Sequence, residues 1–406
     1  MAGPLSHIKV LDLSRVLAGP WASQILADLG ADVIKVERPG DGDDARAWGP
    51  PFLKDANGAY TKESGYYLAA NRGKRSLTLS LDLPEGQEIV RQLAAQSDIV
   101  LENFKVGTLE RYGLGYDALK QVNPRLIYCS ITGFGQTGPK KSNPAYDFLI
   151  QAMGGLMSIT GERDDLPGGG PQKVGIPIID IMTGVYTSVA VVAALAGREV
   201  SGKGDYIDIG MLDVMTGLLS NQAMNYLVAG RTPKRTGNAH PNIQPQKVFT
   251  CKNGDIVLVV GNDGQYEKLC AVLGLPELAH DARFATNPER VKHQEVLSPL
   301  LDQAFLRENR EHWVEQLAKV GVPCGPINTI PEVFDDPQIK HREMLRYLPH
   351  PAGTMVPQVV SPFRFANAGL EYKNPPPTLG QHSDEVLREL GIADARIAQL
   401  RELKVV

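Results

Sequence analysis

The sequence is short of several features that would place it in a class at once. Only four cysteines occur in 406 residues (Cys129, Cys251, Cys270 and Cys324), far apart, with no Cys-x-x-Cys and no His at ligand spacing. That excludes a disulfide scaffold and a structural metal site, and fits a reducing, cytoplasmic compartment. Charge of one sign is not in excess: 42 basic against 46 acidic side chains leave a net charge of −4. A balance this even offers no basic stripe for nucleic acid and no polybasic patch for a membrane. The first residues lack the basic and apolar regions of a secretory signal and the Arg- and Ser-rich character of a transit peptide. Repeats and low-complexity tracts are absent, which excludes solenoids and propellers. One apolar run, residues 176–197, is long enough to span a bilayer, but Pro177, Asp180 and the hydroxyls flanking Tyr186 favour a buried core helix.

What is present reads as an α/β enzyme. At roughly 150 residues per domain the length suits two or three domains. β-Branched runs at 7–13, 32–37, 76–81, 98–102, 125–131 and 206–209 alternate with helical patterns at 21–29, 84–96, 116–122 and 211–228. That alternation predicts a mostly parallel, Rossmann-like sheet with helices on its faces. Residues 231–246 are polar, rich in proline and aperiodic, a linker or functional loop. A hairpin at 247–251 and 255–260, turning on Asn253-Gly254, then opens a smaller α+β domain with helices at 265–273, 296–305 and 311–320. The expected division is a large domain of residues 1–225 and 326–406 and a small one of 226–325.

The first strand–helix turn, Ser14 to Pro20, has no Gly-x-Gly-x-x-Gly, so a nicotinamide fingerprint is missing where it would stand. Basic clusters sit instead at strand ends: Arg38 after the second strand, Asn71-Arg72-Gly73-Lys74-Arg75 before the third, and Asn103-Phe104-Lys105 after the fourth. Ligands of open α/β sheets gather at the carboxyl edge, so three such clusters point to an anionic, multi-phosphate ligand. Asp180 is the sharpest single signal, a carboxylate inside an apolar run where an unpaired charge costs several kcal/mol. Two readings stay open: a helix cap, or a partly dry carboxylate acting as nucleophile. Gly261-Asn262-Asp263-Gly264-Gln265 links a strand to a helix, and reads either as a well-capped turn or as a close-approach loop for a ligand. Residues 166–171, Leu-Pro-Gly-Gly-Gly-Pro, read as a mobile loop and a candidate lid near Asp180.

Together, VLDLSRVLAGPWASQILADLGADVIKVERPGDGDDAR, NRGKRSLTLSL, IYCSITGFGQTGP, GIPIIDIMTGVY and PPPTLGQHSDEVL make the sequence resemble the class III CoA-transferases over nearly its whole length. RTGNAHPNIQPQ and GVPCGPIN look like the branch that moves CoA from succinyl-CoA onto dicarboxylic acids such as glutarate or hydroxymethylglutarate. The resemblance implies that Asp180 carries the acyl group as an anhydride and then CoA as a thioester, with acyl-CoA as substrate and neither metal nor permanently bound cofactor. It implies CoA contacts from Arg15, Val16, Arg38, Asn71, Arg72, Lys74, Asn103, Phe104, Lys105 and Arg111. Gly261, Gly264 and Gln265 match a glycine loop that shields the intermediates. Here Asn262 and Asp263 interrupt the glycines of formyl-CoA transferases, and Leu17 replaces their glutamine; both count against formate or oxalate. Tyr146 and His240, with Asn242 and Gln244, are candidate substrate contacts. The resemblance also implies a homodimer of interlocked chains.

The rival within this superfamily is a 2-methylacyl-CoA racemase, which pairs its aspartate with a histidine. Tyr146 stands in that histidine's place. Two-base proton transfer needs a second group titrating near neutral pH, and an ordinary Tyr titrates near ~10.

Overall fold

The computed structural model describes residues 2–406. Its strands in chain order are β1 (Lys9–Asp12), β2 (Asp32–Glu37), β3 (Phe52–Lys54), β4 (Tyr60–Ser64), β5 (Lys74–Thr78), β6 (Ile99–Glu102) and β7 (Ile127–Thr132). They continue with β8 (Tyr206–Gly210), β9 (Gln246–Cys251), β10 (Gly254–Val259), β11 (Cys324–Pro326), β12 (Leu345–His350) and β13 (Thr354–Val359). The six strands expected from the β-branched runs form a single parallel sheet, ordered β5-β2-β1-β6-β7-β8. Strand order reverses between β1 and β6, so the loops that follow these two strands diverge and leave a crevice at the carboxyl edge.

Side chains alternate across this sheet with the period of two that strands impose. Leu11, Val100 and Tyr128 enter a core with Leu77, Ile89, Val90, Val386 and Leu400. Their neighbours Val10, Ile99, Leu101, Ile127 and Cys129 enter the opposite core with Ala22, Leu26, Val191 and Leu195. Both faces are covered, as a parallel sheet requires. The helices Ala18–Asp28 and Ile178–Ser201 pack together on the second face. Gly184 permits that approach: a Cβ there would lie 2.8 Å from the Ala18 carbonyl oxygen and 2.9 Å from the Trp21 Cβ.

The chain divides into two compact units, the first being residues 2–156, Val174–Ala223 and Lys340–Val406. The second is Met157–Lys173 with Met224–Ile339. The boundaries therefore differ from those expected. Cys324–Pro326 pairs with β10, which keeps the following helix, Ile330–Asp335, in the second unit. Residues 157–173 also belong there: Gln172 N–H donates to the Thr160 carbonyl at 2.9 Å, and Arg235 reaches the Ser158 carbonyl at 3.0 Å. The loop 166–171 thus sits in the second unit. That unit has its own core, in which Phe249, Ile256, Leu269, Phe284, Leu301, Phe305 and Trp313 meet beneath the β11-β10-β9 sheet.

Two hairpins escaped sequence analysis, β3–β4 and β12–β13. The single helix expected over 211–228 is two, Met211–Leu218 and Ser220–Ala229, broken where Ser220 adopts φ 45°. The apolar helix Ile178–Ser201 is long and apolar enough to cross a membrane, yet it is two-faced rather than wholly buried. Thr183, Thr187, Ser188, Val191 and Arg198 face the protein, whereas Tyr186, Val189, Val192 and Val200 are exposed.

Candidate active site

Asp180 lies in the first turn of the helix Ile178–Ser201 and is 8% exposed. The cap at this helix start is supplied by its neighbour, Asp147. Asp147 Oδ1 accepts from the N–H groups of Ile179 at 2.7 Å and Asp180 at 3.2 Å, so the cap comes from another helix. Gln151, one turn on in the helix Asp147–Met153, donates Nε2 to Asp147 Oδ2 at 2.5 Å and accepts from Val174 N–H at 3.0 Å. Asp147 is therefore held from both oxygens, while no donor among the described residues hydrogen-bonds the Asp180 carboxylate.

Burial, with the Asp147 charge second, pushes the Asp180 carboxyl up to about 7. A helix start favours an anion by about 0.3–1 kcal/mol. A rise from 3.8 to about 7, at about 1.4 kcal/mol per pH unit, is several times larger, so desolvation wins. Tyr66, in the short helix Gly65–Leu68, is half-buried; burial and then the charges of Asp180 and Asp147 push its phenol up to about 12. It stays protonated, a hydroxyl donor beside a carboxylate, and Trp48 packs edge-on against it at 5.2 Å. Tyr66, and the capping role of Asp147, were missed in the sequence because neither has a local pattern; only the sheet's loops bring them to residue 180.

At the strand-order reversal, Asn103 clamps the loop after β1: its Oδ1 accepts from Arg15 N–H at 2.8 Å and its Nδ2 donates to the Arg15 carbonyl at 2.7 Å. The Arg15 guanidinium lies over the Phe104 ring at 5.2 Å. Two clefts meet at this pair. One, of about 190 Å³, is lined by Val16, Asn103, Lys105 and Tyr146; the other, of about 150 Å³, by Arg38, Leu79, Leu81 and Tyr112. Arg38, Lys105 and Arg111 are exposed. Arg15, Val16, Arg38, Asn103, Phe104, Lys105 and Tyr146 are thus brought to one edge.

Asn71, Arg72 and Lys74 are not surface donors. Arg72 forms a two-pronged pair with Asp28, both bonds 2.8 Å, and reaches the Val359 carbonyl at 2.9 Å. Lys74 is fully buried, donating to Asn71 Oδ1 at 2.8 Å and Asp12 Oδ2 at 3.2 Å, and burial pushes its ammonium down to about 7. A cluster that reads as ligand-facing from its charge is interior here, because strand β5 begins at Lys74 rather than beyond it. Glu37 is likewise consumed by Arg46, at 2.7 and 2.8 Å.

A buried carboxylate without a hydrogen-bond donor and a cleft rimmed with cations together suit a substrate that joins an acyl group to phosphates. The sequence pattern of CoA-transferase family III matches residues 5–383. The chain belongs to CoA-transferase family III. It is 49% identical to a succinate–glutarate CoA-transferase of Agrobacterium fabrum, over 95% of this chain and 96% of the relative. It is 40% identical to the human succinyl-CoA:glutarate CoA-transferase, over 99% and 90% of the two chains. A CAIB/BAIF family protein from Brucella suis superposes with a TM-score of 0.84 at 49% identity, covering 96% of this chain and all of that one.

The remaining residues that the family resemblance singles out belong to the second unit. Gly261 and Gly264 are exposed at the start of the helix Asp263–Val272, capped by Asn262, whose Oδ1 accepts from Gln265 N–H at 2.9 Å. His240 is half-buried; its Nδ1 accepts from Asn242 N–H at 3.1 Å, and its carbonyl accepts from Gln244 Nε2 at 2.9 Å. Among the described residues there is no cluster of His, Cys, Asp or Glu able to hold a metal ion.

Proposed function

We propose that this CoA-transferase moves CoA from succinyl-CoA to a short dicarboxylate such as glutarate, with Asp180 as the covalent carrier. The relatives' names support the substrate pair. The observation that carries the mechanism is a carboxylate that is buried, free of donors, and pushed up to about 7. A carboxylate Oδ attacks the thioester carbonyl; the C–S bond breaks and CoA thiolate leaves with the electron pair, giving a mixed anhydride. The thiolate then attacks the Asp180 Cγ, succinate departs, and an aspartyl-CoA thioester remains. The acceptor carboxylate displaces CoA from that Cγ, and the thiolate takes the acceptor's acyl group, restoring Asp180. Each acylation removes an anion from a site that burial and Asp147 disfavour for charge, which supports covalent carriage. The Tyr66 hydroxyl supplies a donor to the carbonyl oxygen as it gains charge.

Arg15, Arg38, Lys105 and Arg111 are assigned to the CoA phosphates, with Val16, Asn103 and Phe104 framing the cleft. Asn71, Arg72 and Lys74 support that edge from within. Tyr146 and His240 are assigned to the substrate, and Gly261, Gly264 and Gln265 to shielding the acyl intermediates. We assign the working form as a cytoplasmic homodimer of interlocked chains, supported by the exposed apolar face at Tyr186, Val189, Val192 and Val200.

The test is to run the enzyme on succinyl-CoA with a panel of acids, quench with hydroxylamine, and map the adduct by mass. A hydroxamate at residue 180 and glutaryl-CoA as product support the reading. A label elsewhere, transfer only to monocarboxylates, or α-proton exchange of a 2-methylacyl-CoA without transfer would overturn it.

A further inference from the structure

Arg290, in the short helix Asn287–Lys292, is among the largest fully buried side chains of the protein. Its guanidinium reaches three segments at once: Nε donates to the Gln244 carbonyl at 2.7 Å, Nη1 to the Phe284 carbonyl at 2.9 Å, and Nη2 to Asp263 Oδ1 at 2.6 Å. The Tyr266 ring lies beneath it at 4.4 Å. Asp263 belongs to the glycine segment, and Gln244 to the polar segment that carries His240 and Asn242.

Each segment is also braced internally. Gly261 N–H donates to Gln265 Oε1 at 2.8 Å, and Asn262 caps the helix start. On the other side, Asn287 accepts from Gln244 N–H at 3.0 Å and donates to the Asn242 carbonyl at 2.9 Å. Val260 N–H joins them again through the Pro245 carbonyl at 3.1 Å. The two non-glycine residues that interrupt the glycines therefore have a structural use: Asn262 caps, and Asp263 anchors the segment to Arg290. A stretch whose composition suggests freedom is pinned.

An ion pair with one partner in solvent, as Asp263 is here, adds little net stability by its charge attraction. Its directional donors do set geometry, because a guanidinium fork fixes where its acceptors stand. We propose that Arg290 is a positioning residue that sets the spacing between the Gly261–Gln265 segment and the His240–Gln244 segment, and so the length of dicarboxylate the enzyme accepts. This rests on the assignment above of both segments to the acyl group and its acceptor.

Asp263→Ala removes the anchor at a half-exposed side chain and leaves the core intact. The expected result is that the ratio of kcat/KM for glutarate over a dicarboxylate one methylene shorter or longer falls by about tenfold, the scale of a misplaced methylene. KM for succinyl-CoA should stay near wild type, Tm should fall because the buried Arg290 loses its charged partner, and Asp263→Asn, which keeps the acceptor oxygen, should restore part of both the stability and the selectivity. Arg290→Met is expected to lose selectivity as Asp263→Ala does. Equal loss of kcat/KM for every acid, or an unchanged length profile in Asp263→Ala, overturns the positioning role. Gly261→Val separates that failure from failure of the underlying assignment, since an added Cβ meets only Gln265 Oε1, at 3.4 Å, within the chain. If Gly261→Val slows transfer while Asp263→Ala keeps its length profile, only the Arg290 role falls; if Gly261→Val changes nothing, the assignment of the segment falls and this proposal with it.

Discussion

In the proposed mechanism Asp180 combines two properties that pull against each other: it must be ionised to attack, and its surroundings disfavour the ion. Because its folded pKa is raised, the reactive anion is lost as pH falls, so transfer should rise with pH through about 7 and level off above it. Asp180→Ala should abolish exchange of labelled succinate into succinyl-CoA while CoA affinity, read by calorimetry, changes little. Asp147→Asn keeps an oxygen on the two helix N–H groups but drops the charge that is the second cause of the rise. Its acid limb should therefore move to lower pH. An unmoved limb would mean that burial alone sets the titration. At this scale the sequence was half legible. An aspartate within an apolar run announces itself, but its partners Asp147 and Tyr66 lie 33 and 114 positions away along the chain and acquire meaning only when folded.

Among the elements, the loop after β1 is the one under strain. Val16 has φ 69°, a left-handed backbone that costs a β-branched residue about 1–3 kcal/mol. Asp43 holds it there, accepting from Val16 N–H at 3.0 Å while pairing with Lys35 at 2.8 Å, and Lys35 in turn donates to the Ser14 carbonyl at 2.9 Å. Both side chains of that pair are fully buried, and the Lys35 charge, after burial, holds the Asp43 carboxyl below its usual range. Asp43→Ala would leave Lys35 buried without that partner, and denaturation should show a loss of about 3–5 kcal/mol. It should also raise KM for acyl-CoA, because the loop that carries Arg15 and Val16 loses its clamp. The strands and most helices were legible here, since period-two and helical patterns are local. The break at Ser220 was not: Gly217 weakens the helical pattern over 211–228, but an isolated glycine does not mark a break three residues further on.

For the whole molecule, two compact units with cores of their own mean two sources of cooperativity. Leu301→Ala, in the core of the second unit, should cost that unit about 2–5 kcal/mol. Calorimetry should show its transition moving while that of the first unit, with its own two sheet-facing cores, stays in place; a single transition moving as a whole would show the units to be thermodynamically one. The exposed face of the helix Ile178–Ser201 belongs to this scale too. For the proposed homodimer, Val189→Lys should weaken association in sedimentation without altering the buried face that holds Thr183, Thr187 and Val191.

By itself the sequence determined the six-stranded parallel sheet and the family and singled out Asp180, because each is written in local periodicity or in contiguous motifs. Only the tertiary structure decided which charges stay exposed at that edge and which are buried. Arg72 and Lys74 carry the same local signal as Lys105, yet they are drawn inward by Asp28, Asp12 and Asn71, residues on other elements. Burial is set by what the rest of the chain places overhead, and an ion pair by where its partner's strand happens to run; neither can be read from neighbours along the chain.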